Sequence, residues 1–426
     1  MKALFVFLVC LTAISISNAY SKEFIVRIPH NSNVANFINQ KEFRLSQFQA
    51  LGFLYFKVSI EDQSTSRFEK LMTSQYPKFV YEENIEYNIF DVDPEFSKQW
   101  GLNNEGHNEP ISPVKMSPVD GVPGADIGAL QAWNYTQGDK KIIVAVIDTG
   151  IDYNHSELKN NMWVNLKEKN GSPGVDDDRN GYVDDIYGYD VSNNDSDPMD
   201  DNKHGTHVAG VIGAQHDGAG VMGVMANVSL MAIKFTDVNG RGDLERALKG
   251  INYAIVNKAK IMSNSWGNRI YSKLLKDAIS QANQNGTVFV AAAGNYGANN
   301  NDFSPIYPAS YKVENVISVG AATADDYPSA FSCFGPNSVH VAAPGTNILS
   351  TVPGGSYAVL SGTSQATPFV SGIAGLALSL NPKLTPLELK NLMIDTSIPS
   401  KMFTDKNISK GRINAGKLLE KISQNL

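Results

Sequence analysis

Residues 140–150, KKIIVAVIDTG, contain six consecutive apolar residues that end at Asp148. A run of this length without polar alternation is typical of a strand in a parallel sheet that helices cover on both faces. Strand-like runs recur at 228–235, 259–267, 287–295 and 313–323, and helical periodicity separates them at 206–214, 242–255 and 272–286. This alternation predicts an α/β domain with a mainly parallel sheet, whose chemistry gathers at the carboxyl ends of the strands.

The first 19 residues have the pattern of a secretory signal peptide. Lys2 precedes an apolar run from Ala3 to Ile16, and small residues end at Ala19, after which we expect cleavage. The alternative is a membrane anchor, for which the run is too short. The net charge of −7, without a basic run, argues against nucleic acid as a partner. We therefore expect a secreted monomer, extracellular or periplasmic, without a membrane anchor.

Residues 20–92 form a separate pattern of strand-like and helix-like segments. Strands are predicted in EFIVRI, LGFLYFKVSI and KFVYEENIEYNI, and helices in NVANFINQKEF and STSRFEKLMTSQ. A segment rich in Pro, Gly, Asn and Asp follows from Asp91 to Gly124. Together these features indicate a small α+β domain ahead of the α/β domain. Its role stays open at this point.

Four residues that suit acyl transfer lie at predicted element ends. Asp148 and Asn295 each follow a buried strand, while His204 and Ser364 each precede an apolar helix. Serine acyl transfer needs a hydroxyl, an imidazole that takes its proton, a carboxylate that orients the imidazole, and donors for the oxyanion. Each residue taken alone also fits an ordinary turn or cap. Their joint placement in one α/β domain favours the catalytic interpretation.

The segments VIDTGID, HGTHVAG, AAAGN and GTSQATP are similar to the signature segments of the subtilisin-like serine proteases, in the same Asp, His, Ser order. The similarity extends over residues 94–426. It implies the subtilisin-like α/β fold and endopeptidase activity on polypeptides, with Asp148, His204 and Ser364 as the triad and Asn295 as the oxyanion donor. It also implies a groove for an extended peptide, lined by Ser265, Trp266, Gly267, Ala293 and Gly294.

The same resemblance implies a role for the N-terminal domain. Members of this family are typically made with a propeptide of this size, which assists folding and inhibits the enzyme until it is cleaved. Residues 20–92 would then be the propeptide of a self-processing zymogen and residues 93–426 the catalytic domain, with cleavage between Tyr87 and Asp93. A permanently attached accessory domain is the alternative.

One position beside the nucleophile departs from the family pattern. Gln365 stands where these proteases usually have methionine. We expect activity to survive this change, with better tolerance of oxidants because the oxidisable thioether is absent.

An acidic segment, GVDDDRNGYVDDIYGYD at 174–190, is a candidate Ca²⁺ site. Its oxygen ligands are spaced as in an EF-hand loop and Gly181 permits the sharp turn, but position twelve is Tyr187 instead of Glu. Similar insertions bind calcium in some subtilisin-like proteases, and a solvated acidic loop is the alternative. The predicted ligands are Asp176, Asp178, Asn180, the Tyr182 carbonyl and Asp185. A second, weaker Ca²⁺ candidate pairs Glu157 with Asp217.

Three other classes of protein fit less well. A catalytically inactive relative would lack a triad member, and all three are present. His204 and His207 lack the Glu and the i, i+4 spacing of a zinc helix. An α/β-hydrolase esterase would need G-x-S-x-G and the order Ser, acid, His, and neither occurs.

Overall fold

A computed structural model describes residues 21–28, 43–50, 53–61, 65–83, 93–106 and 120–425. The internal contacts divide the chain between Phe90 and Asp91 into two units. The predicted signal peptide, most of the helix predicted at 33–43 and the region of the predicted cleavage site lie outside the described residues.

The first unit is a four-stranded antiparallel sheet with one described helix. Its elements are β1 (Ser21–Ile28), β2 (Arg44–Ala50), β3 (Phe53–Glu61), α1 (Thr65–Gln75) and β4 (Val80–Glu83). The strand order is β2-β3-β1-β4. Phe24 and Val26 of β1 pack in one buried cluster with Phe68 and Met72 of α1. This unit therefore has a hydrophobic core of its own.

The second unit contains a nine-stranded sheet, a two-stranded ribbon and the helices around them. Its strands are β5 (Gly138–Asp148), β6 (Gly188–Asp190), β7 (Asn227–Lys234), β8 (Ile261–Asn264), β9 (Val288–Ala292), β10 (Val316–Ala322), β11 (Val341–Pro344), β12 (Ile348–Val352), β13 (Ser356–Leu360), β14 (Ile398–Pro399) and β15 (Gly411–Arg412). Its helices are α2 (Ala129–Ala132), α3 (Leu166–Lys169), α4 (His204–Gly213), α5 (Leu244–Val256), α6 (Lys273–Gln284), α7 (Thr363–Leu380), α8 (Pro386–Asp395) and α9 (Ala415–Ser423), with 3₁₀ turns at Phe96–Lys98 and Lys401–Phe403.

The large sheet has the order β14-β15-β11-β10-β9-β8-β5-β7-β6 and is parallel except for the β14–β15 pair. Strand β5 lies between β8 and β7, and its last five residues are all buried. Val144 and Val146 enter the core cluster on one face of the sheet, and Ala145 and Ile147 enter the cluster on the other. This two-sided burial is the reason for the continuous apolar run in the sequence.

Helix α7 is the longest described helix of this unit and is buried over most of its length. It packs against β5, β8, β9, β10 and β11. Fifteen of its eighteen residues are buried, so its apolar residues are not restricted to one stripe, as is usual for a helix enclosed on all sides. The nucleophile predicted at the start of this helix is therefore attached to a rigid part of the core.

The predicted α/β class with a mainly parallel sheet is confirmed. The segment ADIGALQAW at 125–133 predicts a helix, but this prediction is wrong in extent, because only Ala129–Ala132 is helical. Gly128 has a φ of 69°, and its N–H donates to Oδ1 of Asp126 at 2.7 Å, so the chain makes a turn before the helix begins. Within the described part of the chain, no helix is both long enough and apolar enough to cross a bilayer.

Candidate active site

The carboxyl ends of three neighbouring strands, β5, β8 and β9, meet at one cleft. Asp148 ends β5, Ser265 follows β8, and Asn295 lies three residues beyond the end of β9. Adjacent parallel strands end at the same edge of a sheet, so these residues come together despite their distance along the chain. The cleft has a volume of about 560 Å³. Of the residues predicted from the sequence, it is lined by Asp148, His204, Ser265, Trp266, Gly267, Gly294, Asn295 and Ser364.

Asp148 and His204 form a hydrogen-bonded pair. Nδ1 of His204 lies 2.7 Å from Oδ1 of Asp148. The same oxygen accepts from the backbone N–H of Thr149 at 2.8 Å, and the Asp148 side chain is buried. Because the buried carboxylate oxygen faces Nδ1, it selects the tautomer in which that nitrogen carries the proton and Nε2 is free to accept one.

Close backbone contacts hold His204 in this position. A Cβ atom on Gly205 would lie 2.1 Å from the carbonyl oxygen of Gly150, so this residue must be glycine for α4 to approach the end of β5. The Gly205 N–H donates to Oγ1 of Thr149 at 2.8 Å, and that hydroxyl donates to Asp200 at 2.8 Å. Asp200 also accepts from the backbone N–H and side chain of Thr206. Sequence reasoning did not identify the buried Asp200, which organises this turn from outside the cleft.

The two histidines of α4 have opposite electrostatic environments. Burial disfavours the charged form of His204, but the charge and hydrogen bond of Asp148 outweigh it and raise the pKa of this imidazole above its usual value. Burial and the nearby His204 lower the pKa of His207 to about 3. Nε2 of His207 bonds to the carbonyl oxygen of Ile348 at 3.0 Å. His207 is thus a neutral core residue.

Ser364 is the second residue of α7 and is tied to the end of β8. Its hydroxyl donates to the carbonyl oxygen of Ser265 at 3.1 Å, and the hydroxyl of Ser265 donates back to the carbonyl oxygen of Ser364 at 2.8 Å. The Ser364 side chain is partly exposed in the cleft that also holds the ring of His204. Rotation about its Cα–Cβ bond releases the hydroxyl from Ser265.

Asn295 is oriented by Thr363, the residue before Ser364. Its Oδ1 accepts from the backbone N–H and from the hydroxyl of Thr363, both at 2.9 Å. This pairing identifies the carboxamide oxygen and leaves Nδ2 as the donor. The Ser364 N–H belongs to the first turn of α7, where backbone donors lack intrahelical partners. These two donors can serve a developing oxyanion.

The predicted groove residues differ in their exposure to the cleft. Ser265, Trp266, Gly267 and Gly294 line it. Ala293 is fully buried behind the wall, and its carbonyl oxygen accepts from Nδ2 of Asn301 at 2.9 Å. The lining residues that sequence reasoning missed are Thr149, Asn202, Phe235, Thr236, Asn239, Gly240, Ala292, Tyr296, Ile306 and Thr363. Tyr296 directly follows a predicted residue and Phe235 ends the strand-like run at 228–235, but Ile306 reaches the cleft from a loop that carries no local signal.

The acidic segment contains a cluster that differs from the predicted set. Oxygens of Glu168, Asp176 and Asp178 lie within 4.8 Å of one another. Glu168 was missed because it precedes the segment, on the short helix α3. It is buried, and its two oxygens accept from the backbone N–H groups of Asp177, Asp178 and Asp184 at 2.8–3.0 Å.

The other predicted ligands of this segment bond mainly to protein groups. Asp185 is fully buried and accepts from Tyr253, Asn165 and Asn180 at 2.6–3.0 Å. Burial is the main cause that raises the pKa of Asp185 to about 6. Oδ1 of Asn180 accepts from the N–H of Tyr182. The structure thus brings Asp176 and Asp178 together and gives Asp185 a set of protein donors.

A second acidic group surrounds Glu157. Oε1 of Glu157 accepts from the hydroxyl of Tyr357 at 2.7 Å, whereas its Oε2 is buried without a partner among the described residues. Oδ2 of Asp93, which the sequence did not indicate, is likewise buried and unpartnered in the described structure. Burial, with the charges of Asp217 and Asp93, raises the pKa of Glu157 to about 7. A buried carboxylate oxygen without a partner is unfavourable in its charged form, because neither water nor a protein donor compensates the charge.

Comparison with known sequences shows to which protein family the chain belongs. Residues 139–417 match the sequence profile of the Subtilase family, peptidase S8. The chain belongs to the subtilase family. The match covers the described cleft, from β5 to the start of α9. As a subtilase domain, the second unit carries the fold of a family of serine endopeptidases.

Several curated relatives are similar over the subtilase domain. Subtilisin-like protease 1 of Plasmodium vivax is 37% identical over 62% of this chain and 44% of its own length. Subtilisin-like protease 1 of Plasmodium falciparum (isolate 3D7) is 38% identical over 60% of this chain and 40% of its own length. The Thermophilic serine proteinase of Bacillus sp. (strain AK1) is 39% identical, over 58% and 55% respectively. The chain thus spans between 40% and 55% of the length of these relatives.

The Asp148–His204 pair predicts a specific pH dependence. The value of kcat/KM for a peptide substrate should rise with pH through the His204 pKa, which lies above its usual value, because only the neutral imidazole accepts a proton. In Asp148→Asn the raising charge is lost, so the midpoint should move to lower pH. The plateau kcat should fall by about 10⁴, since the tautomer is no longer held.

The matched control is Asp197→Asn, the same change at an exposed carboxylate that bonds to Tyr153. It should leave both the midpoint and the plateau unchanged. An unshifted midpoint in Asp148→Asn would contradict the assigned cause of the His204 pKa.

Proposed function

We propose that this chain is a secreted serine endopeptidase that hydrolyses peptide bonds through an Asp148–His204–Ser364 triad and is made as a self-processing zymogen. The observation that carries this proposal is the 2.7 Å hydrogen bond between Asp148 and His204 in a cleft shared with Ser364 and Asn295. Membership of the subtilase family supports the same reaction class.

The proposed reaction begins when the Ser364 hydroxyl leaves the carbonyl of Ser265 and turns toward Nε2 of His204. Nε2 takes the proton as Oγ attacks the scissile carbonyl, and Asp148 stabilises the imidazolium that forms. Nδ2 of Asn295 and the Ser364 N–H donate to the oxyanion. His204 then protonates the leaving amine, and water repeats the cycle on the acyl-enzyme.

Extended polypeptide segments are the proposed substrates. The cleft lies at the carboxyl edge of the sheet, and its lining includes Ser265, Trp266 and Gly267 after β8 and Gly294 after β9. Backbone groups in such segments pair with an extended chain as an added strand would. Ile306 and the Trp266 ring give the cleft an apolar contribution that favours apolar side chains.

Labelling with phenylmethylsulfonyl fluoride tests the nucleophile. We expect one equivalent to attach to the wild-type protein and none to Ser364→Ala, because the reagent needs an activated serine hydroxyl. Ser361→Ala, a change at an exposed serine three residues away, should label as wild type does. Intact-mass spectrometry measures the outcome, and equal labelling of wild type and Ser364→Ala would end the proposal.

We propose that residues 20–92 are the propeptide of the zymogen, which assists folding and inhibits the enzyme. Its support is the position of this α+β unit and its separate core of Phe24, Val26, Phe68 and Met72. We further propose that export removes residues 1–19 and releases the protein into the periplasm or outside the cell.

N-terminal sequencing of exported protein tests the processing. Wild type should begin between about residues 87 and 93, while Ser364→Ala, which cannot cleave itself, should begin at residue 20. A wild-type product that starts at residue 20 would favour the permanent accessory domain.

We also propose that the catalytic domain binds structural Ca²⁺ at two places. The first would be held by Glu168, Asp176 and Asp178, whose oxygens converge, and the second by Glu157 and Asp93 beside Asp217. Hard carboxylate oxygens are the ligands that Ca²⁺ prefers. The two unpartnered buried oxygens at Glu157 and Asp93 support the second site most directly, because a bound cation would neutralise them.

Removing calcium should lower thermal stability. A ligand present at 100 times its Kd stabilises the native state by roughly 2.7 kcal/mol per site, so a chelator should lower the Tm by several degrees. The measurement uses Ser364→Ala protein to prevent self-digestion. Glu157→Gln and Glu168→Gln should each reduce the effect of the chelator, whereas Glu245→Gln, on the exposed face of α5, should not. A Tm that does not change when the chelator is added would contradict the proposal of both Ca²⁺ sites.

A further inference from the structure

A buried ammonium group without a partner lies outside the cleft. Lys390, on α8, is only 9% exposed. Its side chain makes no hydrogen bond or ion pair within the part of the chain that the structure describes. A buried charge is costly unless another group compensates it, and lysine is almost never buried without a partner. Neither the proposed reaction nor the proposed Ca²⁺ sites involve this residue.

The Lys390 side chain lines a cavity of about 280 Å³. The walls of this cavity also include His340, directly before β11, and residues from the segments 309–314 and 337–338. The cavity shares no lining residue with the cleft that holds His204 and Ser364. Since a water molecule takes up about 30 Å³ in the liquid, the cavity has room for a small organic anion.

His340 has a second donor without a partner. Its Nδ1 accepts from the backbone N–H of Ser318, on β10, at 2.9 Å. Burial and the positive charge of Lys390 lower the pKa of the His340 imidazole to about 3, so the ring is neutral near pH 7. A neutral ring whose Nδ1 accepts carries its proton on Nε2. That N–H has no partner among the described residues.

The other charged residues of the cavity wall do not pair with Lys390. Glu314 attracts the ammonium through its charge but forms no ion pair with it. Lys312 and Glu314 are both exposed to solvent, where their opposite charges are screened and offset each other. The cavity therefore holds one uncompensated positive charge, that of Lys390.

We propose that this cavity binds a small monocarboxylate, whose oxygens accept hydrogen bonds from Nζ of Lys390 and from the Nε2–H of His340. The two oxygens of a carboxylate match these two donors, and its single negative charge matches the single uncompensated ammonium. A phosphate or sulfate dianion fits less well, because it brings a second negative charge without a partner in the cavity. The site does not depend on the proposed protease activity.

Thermal unfolding with sodium acetate as the probe tests this site. The protein is Ser364→Ala, which cannot digest itself, and sodium chloride at the same ionic strength is the reference. The Tm should rise with acetate concentration and level off, because a ligand that binds only the native state stabilises it. Sodium phosphate at the same ionic strength should raise the Tm less than acetate does.

Lys390→Met in the same background removes the charge and keeps a long unbranched side chain. The acetate affinity obtained from the Tm series should fall by at least about tenfold, since hydrogen bonds to charged groups are among the stronger ones. The matched control is Lys383→Met, the same change at an exposed lysine before α8. This control should keep the acetate affinity of the parent protein.

NMR of the imidazole nitrogens gives a readout that needs no change at Lys390. In Ser364→Ala protein labelled with ¹⁵N-histidine, the His340 signals are those that disappear in His340→Gln. Their shifts should change with acetate and reach a plateau, because the bound carboxylate accepts from Nε2–H. This titration decides the matter if Lys390→Met does not fold.

Any one of three results would overturn the inference. The first is a His340 signal and a Tm that change no more with acetate than with chloride. The second is an equal acetate affinity in Lys390→Met and in the parent protein. The third is a larger rise of the Tm with phosphate than with acetate, which would exclude a site built for a monocarboxylate.

Discussion

The seating of α7 on the parallel sheet is the contact on which the site depends. The helix is buried over most of its length, and the Ser371 hydroxyl lies 3.0 Å from that of Ser263 on β8. Its first turn is joined to the ends of β8 and β9 through the Ser364–Ser265 and Thr363–Asn295 hydrogen bonds. The helix therefore presents Ser364 against the sheet edge, where a side chain is held more accurately than on a loop.

Buried carboxylates perform two different tasks in this domain, according to their partners. Asp148 is buried with an imidazole and a backbone N–H as donors, so its charge is used to raise the pKa of His204. Glu157 and Asp93 are also buried, but one oxygen of each has no donor in the described structure. The first arrangement suits proton transfer, and the second suits a cation that binds from solvent.

Prediction from the sequence succeeded where a local pattern carries the information. The apolar runs located β5, β7 and β8, because a strand that is buried on both faces has consecutive apolar residues. The helical periods located α5 and α6, because a helix that is buried on one face has apolar residues every three or four positions. Strand β2, RLSQFQA, escaped because its apolar residues do not alternate regularly. Asp93 and Ile306 escaped for a different reason, because each reaches its site through contacts with a remote part of the chain. Glu168 was missed because it lies just before the acidic segment, on α3.

The sequence by itself determined the kinds of group available and their order along the chain, since a hydroxyl, an imidazole, a carboxylate and a carboxamide are properties of residues 364, 204, 148 and 295. Only the tertiary structure decided which of them meet. Asp148 and His204 are 56 residues apart in the chain and 2.7 Å apart in space. The pKa of the His204 imidazole depends on burial and on the neighbouring Asp148, and folding alone supplies both.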